Sequence, residues 1–408
     1  MIRVAFIVNA TDAGWLGGVN YIANLCQAVM SLPDRRIEPV VFAAPQTPQV
    51  LLEGFRGIGI VRTSFVARRH PVRLLGKAVE RAAGRNLVLE TYLRAQGVAV
   101  LSHSPPLGPR AGLPAITWIP DFQYLHLPDL FPPSEIRRRE IGYRQNVRQS
   151  RLVVLSSSSA QSDLSRFEPA ALARSRVLRF VSGFGSPGEE RAEFILRARY
   201  GIDRPYFYLP NQFWKHKNHA VVVEALARLR ARGMPRLVIS TGLMRDFRAP
   251  DHAEAVMARA VELGVADDFR ALGVVPFPDV AALYRHAVAV INPSLFEGWS
   301  TSVEEAKSMG KSVILSDIPV HREQAPDRGH YFPPHDADAL AAAMSDVAET
   351  ASPDSDALFR AEAERLRPER FAAFGRAYQD IVLEAAGVSL AADAVTAAAT
   401  SRSPISEP

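Results

Sequence analysis

Ile291-Asn292-Pro293-Ser294-Leu295-Phe296-Glu297-Gly298-Trp299-Ser300-Thr301-Ser302-Val303-Glu304-Glu305-Ala306 is the stretch that decides how the rest of the chain is read. An apolar run, Ala287–Ile291, ends at its start. A turn rich in Pro, Ser and Gly follows, and a helix is expected from Ser302 to Met309. In doubly wound sheets, ligands sit beyond the carboxyl ends of strands, and this is such an end. The N–H groups of residues 300–303 are the unpaired donors of the new helix, suited to an anion such as a diphosphate. Glu297 precedes the helix. Glu305 lies about one turn inside it, where its carboxylate could accept hydrogen bonds from paired sugar hydroxyls. The plain alternative is a helix with early acidic residues, as its dipole favours.

Outward from this stretch the same pattern repeats. Apolar runs occur at Val4–Val8, Val40–Ala43, Val98–Leu101, Ala115–Ile119 and Leu152–Leu155, then at Tyr206–Leu209, Leu237–Ser240 and Val313–Leu315. Runs of ~4–8 residues without polar alternation suit strands covered on both faces. Helix-period segments lie between them, at Val19–Leu32, Ala220–Arg232, His252–Leu263 and Ala337–Thr350. Such alternation implies right-handed crossovers and parallel sheets. There are too many strands for one sheet, so the expectation is an α/β chain of two doubly wound, Rossmann-like domains with a cleft between them. The second sheet is expected to end near Ser316. The break is expected in the Gly/Ser/Pro cluster Ser182–Gly188, giving domains 1–186 and 187–366. A helix over 367–387 and a tail over 388–408, expected to be disordered, complete the chain.

Composition agrees with this frame. The chain has 408 residues, of which 48% are hydrophobic and 22% charged, as in a soluble globular protein of two or three domains. One cysteine, Cys26, excludes a disulfide framework. No run reaches the ~18 apolar residues of a membrane-spanning helix. The opening run is too short for a signal peptide, so a cytoplasmic location is expected. The net charge of +5 is unevenly spread: residues 1–186 hold 23 Lys and Arg against 12 Asp and Glu, leaving 25 against 31 for the remainder.

Other strand ends carry further candidates. Trp15-Leu16-Gly17-Gly18-Val19-Asn20 precedes the first helix, and Gly17 and Gly18 let backbone approach a ligand. Leu209-Pro210-Asn211-Gln212-Phe213-Trp214-Lys215-His216-Lys217-Asn218-His219 closes a strand and brings cations to the same edge, with Lys217 a point charge suited to phosphate. Trp118–Phe131 contains Asp121, His126 and several aromatics able to stack on a sugar ring; His103 is a weaker candidate. Asp336-Ala337-Asp338 reads as a helix cap rather than a metal site. Arginines cluster at Arg68-Arg69 with Arg73 and at Arg137–Arg139. They suit a membrane surface or an anionic ligand, with solvated faces as the plain alternative. No nucleic-acid module accompanies them.

The opening stretch resembles the E-x7-E motif of the family-4 retaining glycosyltransferases, with Glu297 and Glu305 as its two glutamates. Leu272-Gly273-Val274-Val275-Pro276, Val280–Tyr284 and Met309–Ile314 resemble the family's flanking elements. The resemblance implies a GT-B fold, with residues 367–387 crossing back to the first domain. It also implies transfer of a sugar from a nucleotide-diphosphate donor to a glycan or polyprenyl-linked acceptor, in O-antigen, capsule or exopolysaccharide assembly. Glu305 would hold the ribose, Glu297 the donor sugar, and Val274 and Val275 the base. Lys217, Gly17, Gly18 and residues Ser300, Thr301 and Ser302 would meet the diphosphate. Asp121 and His126 would face the acceptor, and no metal or cofactor is implied. Gln212 stands where the family carries an arginine, with Lys215 or His216 expected to make up the charge. Pro120 stands where it carries a histidine. A GT-B sugar-nucleotide epimerase and a non-catalytic GT-B partner protein are the alternatives.

Overall fold

The computed structural model describes residues 1–9, 16–182 and 193–388. Among these, thirteen strands form two sheets whose strands pair in parallel. The first contains β1 (Ile2–Val8), β2 (Ile37–Ala43), β3 (Gly59–Arg62), β4 (Val98–Ser102), β5 (Ala115–Ile119), β6 (Leu152–Leu155) and β7 (Ser175–Val177), in the order 3-2-1-4-5-6-7. The second contains β8 (Tyr206–Leu209), β9 (Leu237–Ser240), β10 (Phe269–Ala271), β11 (Val290–Asn292), β12 (Val313–Ser316) and β13 (Gly329–Phe332), in the order 10-9-8-11-12-13. Each order reverses once, between β1 and β4 and between β8 and β11, and crevices form at such points.

The second sheet does not end at Ser316, because β13 pairs with β12 beyond it. β3, β7, β10 and β13 have no counterpart among the expected apolar runs, and all four are edge strands. Of the expected break at Ser182–Gly188 all but Ser182, together with Trp15 and the tail from Ser389 onward, lie outside the described residues.

The helix expected from Arg367 begins earlier. It runs from Pro353 to Ala385, with Ser352 capping the N–H of Ser355 and Pro368 in its interior. Its first half lies on the second unit, where Lys311 and Arg328 pair with Asp356 at 2.8 and 2.6 Å. Its second half lies on the first unit. Phe374, Tyr378, Ile381 and Val382 are buried in a core with Val4, Phe6, Val29 and Val41 from β1, the Leu16–Met30 helix and β2. Each such side chain removed from water stabilises the fold by about 1.5–3 kcal/mol. Gly375 lets the two helices touch: a Cβ there would stand 2.5 Å from the Ala28 carbonyl oxygen. Tyr378 donates to Ser102 Oγ at 2.8 Å, and the Arg36 N–H to Gln379 Oε1 at 2.7 Å. Among the described residues, no helix is long and apolar enough to cross a membrane.

Candidate functional site

The turn after β11 is organised by one buried side chain. Asn292 Nδ2 donates to Ser300 Oγ at 2.7 Å and Ser302 Oγ at 3.0 Å. Its Oδ1 accepts from the Ser294 N–H at 3.2 Å and lies 2.7 Å from Ser294 Oγ. The turn is thereby fixed at both ends, and Glu297 sits at its tip with Ser294 Oγ 2.7 Å from Oε1. A polar residue closing an apolar strand was the sequence signal that could have found Asn292.

Glu297 and Lys217 form one ion pair, with Nζ 2.6 Å from Oε1. Both side chains are largely buried, at 9% and 15% exposure. Burial works against the charged carboxylate, but the Lys217 ammonium outweighs it and holds Glu297 down to about 2. Two groups expected to meet different parts of a donor are therefore coupled. His216 supplies no charge, contrary to expectation: burial, with Lys217 beside it, pushes it down to about 3. His219 is a core residue stacked on Phe213, with ring centroids 4.0 Å apart. Gln212 is exposed and does not line the cleft.

The Thr301–Ser308 helix starts at this edge, and Thr301 lines the cleft. The Ser300 N–H, expected as a free donor, is taken by Gln324 Oε1 at 3.1 Å, and Gln324 Nε2 donates back to the Ser300 carbonyl at 3.0 Å. This leaves the N–H groups of Thr301, Ser302 and Val303 as the donors of that helix end. Glu305 is half-buried and accepts from Tyr284 Oη at 2.8 Å. Burial, partly offset by that bond, pushes its carboxyl up to about 7. Val274 is exposed and Val275 half-buried, in the loop after β10.

The first unit closes the cleft, which has a volume of about 250 Å³. Gly17 lines it, and a Cβ there would meet nothing within 4 Å. Gly17 and Gly18 lie in the first turn of the Leu16–Met30 helix, not in a turn before Val19. Asp121 lines the cleft and accepts from the Gln123 N–H at 2.9 Å, and burial pushes its carboxyl up. His126 is not brought there. Its Nε2 lies 2.9 Å from Asp163 Oδ2, and its ring leans on Phe296, with centroids 4.9 Å apart. The Asp163 carboxylate, which nothing in the Trp118–Phe131 block discloses, draws the imidazole away.

Two contacts from the turn after β11 join the units around the site. Trp299, from the turn after β11, is buried in the first unit's core and donates to the Phe180 carbonyl at 3.0 Å. Gly298 packs on Pro120 and Asp121 so closely that a Cβ would collide with the Pro120 carbonyl oxygen and stand 2.8 Å from Asp121 Cβ. Tyr21 and Trp118 stack at 4.3 Å and form the facing wall. Elsewhere, Asp336 caps the Ala337–Thr350 helix by accepting from the Ala339 N–H at 2.9 Å, and Asp338 pairs with Arg232 at 2.6 Å.

Two parallel units, with a cleft between the carboxyl ends of their sheets, are the architecture of GT-B proteins. The chain superposes on HepE of Anabaena, solved in complex with UDP and glucose, with a TM-score of 0.65 at 17% identity, covering 94% of this chain and all of that one. Residues 204–350 match the model of a family described as glycosyl transferases group 1. The chain is 24% identical over 243 residues to O-antigen chain mannosyltransferase B of Escherichia coli, covering 58% of this chain and 62% of the relative. It is 28% identical over 143 residues to O-antigen chain mannosyltransferase RfbU of Salmonella typhimurium, covering 35% and 38%. The matches thus span less than two thirds of these relatives.

Proposed function

We infer that the protein is a retaining glycosyltransferase. It moves a sugar from a nucleotide-diphosphate donor to a glycan or lipid-linked acceptor in the assembly of a polysaccharide such as an O-antigen. One observation carries this reading: Lys217, Glu297 and the start of the Thr301–Ser308 helix line a single cleft. Cleavage of the donor puts charge on the leaving diphosphate, and a lysine with helix N–H groups stabilises it. Glu297 then meets the sugar, Glu305 the ribose and Asp121 the acceptor side. In this reading the acceptor attacks the face the leaving group departs from, and the leaving phosphate takes the acceptor proton. No protein nucleophile is assigned. The reading gives no role to a metal ion, since Asp336 caps a helix and Asp338 holds Arg232. A cytoplasmic enzyme meeting the membrane through its basic first unit fits the exposed Leu74 and Leu75 beside Arg73.

The test is nucleotide release by the full chain from UDP- and GDP-sugars, with and without a panel of glycan acceptors. Acceptor-dependent release that is lost in Glu305→Ala supports the reading. An isomerised donor with no free nucleotide, or release untouched by Glu305→Ala, overturns it.

Three further results are expected. Glu305 titrates near 7, and its ionised form is the acceptor for ribose hydroxyls. The affinity for UDP-glucose or GDP-mannose, whichever binds tighter, therefore rises by about tenfold per unit as pH increases towards 7, then levels off. Glu305→Gln flattens that profile, as calorimetry from pH 5.5 to 8.5 would read. The same shift makes the free protein lose stability as pH climbs from 4.5 to about 7, because the folded chain keeps a proton that the unfolded chain has released. Gly17→Ala separates folding from binding. Alanine suits a helix better by up to about 1 kcal/mol, and nothing obstructs its Cβ in the free protein. The variant should melt no lower than the parent yet bind the nucleotide-sugar several-fold more weakly.

A further inference from the structure

A second cavity, of about 400 Å³, opens at the carboxyl edge of the first sheet, and the donor site makes no use of it. The ends of β1 and β4 form one side, with Ile7, Asn9 and His103. The Pro71–Ala83 helix and the loop before it form the other, with Arg68, Arg73 and Lys77. Among the described residues no acidic side chain lines it. Lys77 pairs with Glu80 at 2.8 Å, and Arg73 is steadied by donating to the Val66 carbonyl at 3.1 Å. Neither Arg68 nor Arg73 has a carboxylate partner among the described residues. Burial, and then the charge of Arg68, push the Arg73 guanidinium below its ordinary value, as crowded like charges should. With Glu80 counted, this wall keeps two net positive charges. That matches a phosphoryl group, whose several oxygens accept from forked guanidinium donors, better than a single carboxylate.

The cavity adjoins the donor cleft. His103 lines the cavity, Tyr21 lines the cleft, and His103 Nε2 lies 3.0 Å from Tyr21 Oη. The two spaces thus meet at a hydrogen-bonded pair. His103 is also held at φ 54°, a conformation non-glycine residues rarely adopt, and its Nδ1 lies 2.8 Å from Ser102 Oγ. Such strain, worth about 1–3 kcal/mol, gathers at functional sites.

We propose that this cavity is the phosphoryl subsite of the acceptor. The acceptor glycan is carried on a phosphate or diphosphate ester whose anion lies against Arg68, Arg73 and Lys77, and its sugar end reaches the cleft past the Tyr21–His103 pair. The proposal rests on the glycosyltransferase reading and names the class of acceptor within it. Leu74 and Leu75, each 57% exposed on the helix that carries Arg73 and Lys77, offer apolar surface to the chain of a lipid ester.

The test is calorimetric titration of the full chain with farnesyl diphosphate and, separately, inorganic diphosphate, with UDP saturating the cleft. Expected is binding of farnesyl diphosphate that weakens by about tenfold or more in Arg73→Gln/Lys77→Gln, with UDP affinity unchanged. Arg68→Gln, on an exposed turn where folding is not at stake, should weaken it in the same direction. Farnesyl diphosphate binding that ignores all three substitutions overturns the proposal. So does a site where inorganic diphosphate depends on these residues and the ester does not, which would be a free-anion site. Failure of the parent chain to bind any nucleotide would count against the glycosyltransferase reading, and is read in its own titration.

Discussion

Lys217→Ala should lower sugar transfer by about 10²–10³-fold, the usual cost of removing one positioned donor from a developing negative charge. It should also lower stability by about 3–5 kcal/mol, because it strands a buried carboxylate. Both effects come from the 2.6 Å contact with Glu297. With the ammonium gone, the largest influence opposing burial at Glu297 is lost, and its carboxyl rises from about 2. Lys217→Ala/Glu297→Gln should therefore regain most of the lost stability and none of the lost activity, a coupling that a double-mutant cycle in urea resolves. Equal activity in Lys217→Ala and the parent would remove Lys217 from the donor site. Additive stability losses would show that the pair is not coupled.

That pairing marks a limit of what sequence shows. Lys217 and Glu297 were each legible as residues at strand ends, where doubly wound sheets place ligands. The bond between them, across 80 positions, was not. The same holds for His126, whose position beyond a strand suggested the cleft until Asp163, 37 residues on, claimed its ring. The central strands were legible because both their faces are covered and their side chains are uniformly apolar, as in Tyr206–Leu209 and Leu152–Leu155. The edges were not. Gly59–Arg62 is largely exposed, so it carries no apolar run. The first half of the Pro353–Ala385 helix is held by ion pairs from Lys311 and Arg328 rather than by an apolar stripe, and Pro368 interrupts the reading. Some of the acidic charge of the second unit is also structural. Asp268 is held by Arg204 and Arg230, and Glu304 by Lys307 and Arg370, so these charges lie folded into the framework.

Gly298→Ala should cost about 10²-fold in kcat/KM with each unit's secondary structure intact. The added methyl meets a backbone carbonyl, that of Pro120, which cannot rotate aside as a side chain would. Relief requires the turn after β11 to back away from the first unit, carrying Glu297 with it, and misplacement by about 1 Å is enough for a loss of that size. Overpacking of this kind also destabilises by about 1–3 kcal/mol. Steady-state kinetics would show the loss, and solution scattering an expanded chain with an unchanged circular dichroism spectrum. Parent-like kcat/KM would mean that the cleft does not depend on this contact. Gly17→Ala is the matched control for the expansion and the stability loss: the same methyl is added on the other wall, where space is open.

The core that holds β1 and β2 is completed by Phe374, Tyr378, Ile381 and Val382. During synthesis the first unit emerges early but must wait for some 200 further residues before the helix that closes its core appears. Domains that fold as they are made usually need nothing from downstream. Here the opening sheet should stay loosely packed on the ribosome, with its apolar surface available to chaperones, and the first unit should set only once residues 374–385 arrive, whereas the cores of the second unit draw on nothing from that segment. Completion of the first unit is then a late event, and a stop codon before Phe374 should yield an aggregating product, not a free-standing first half.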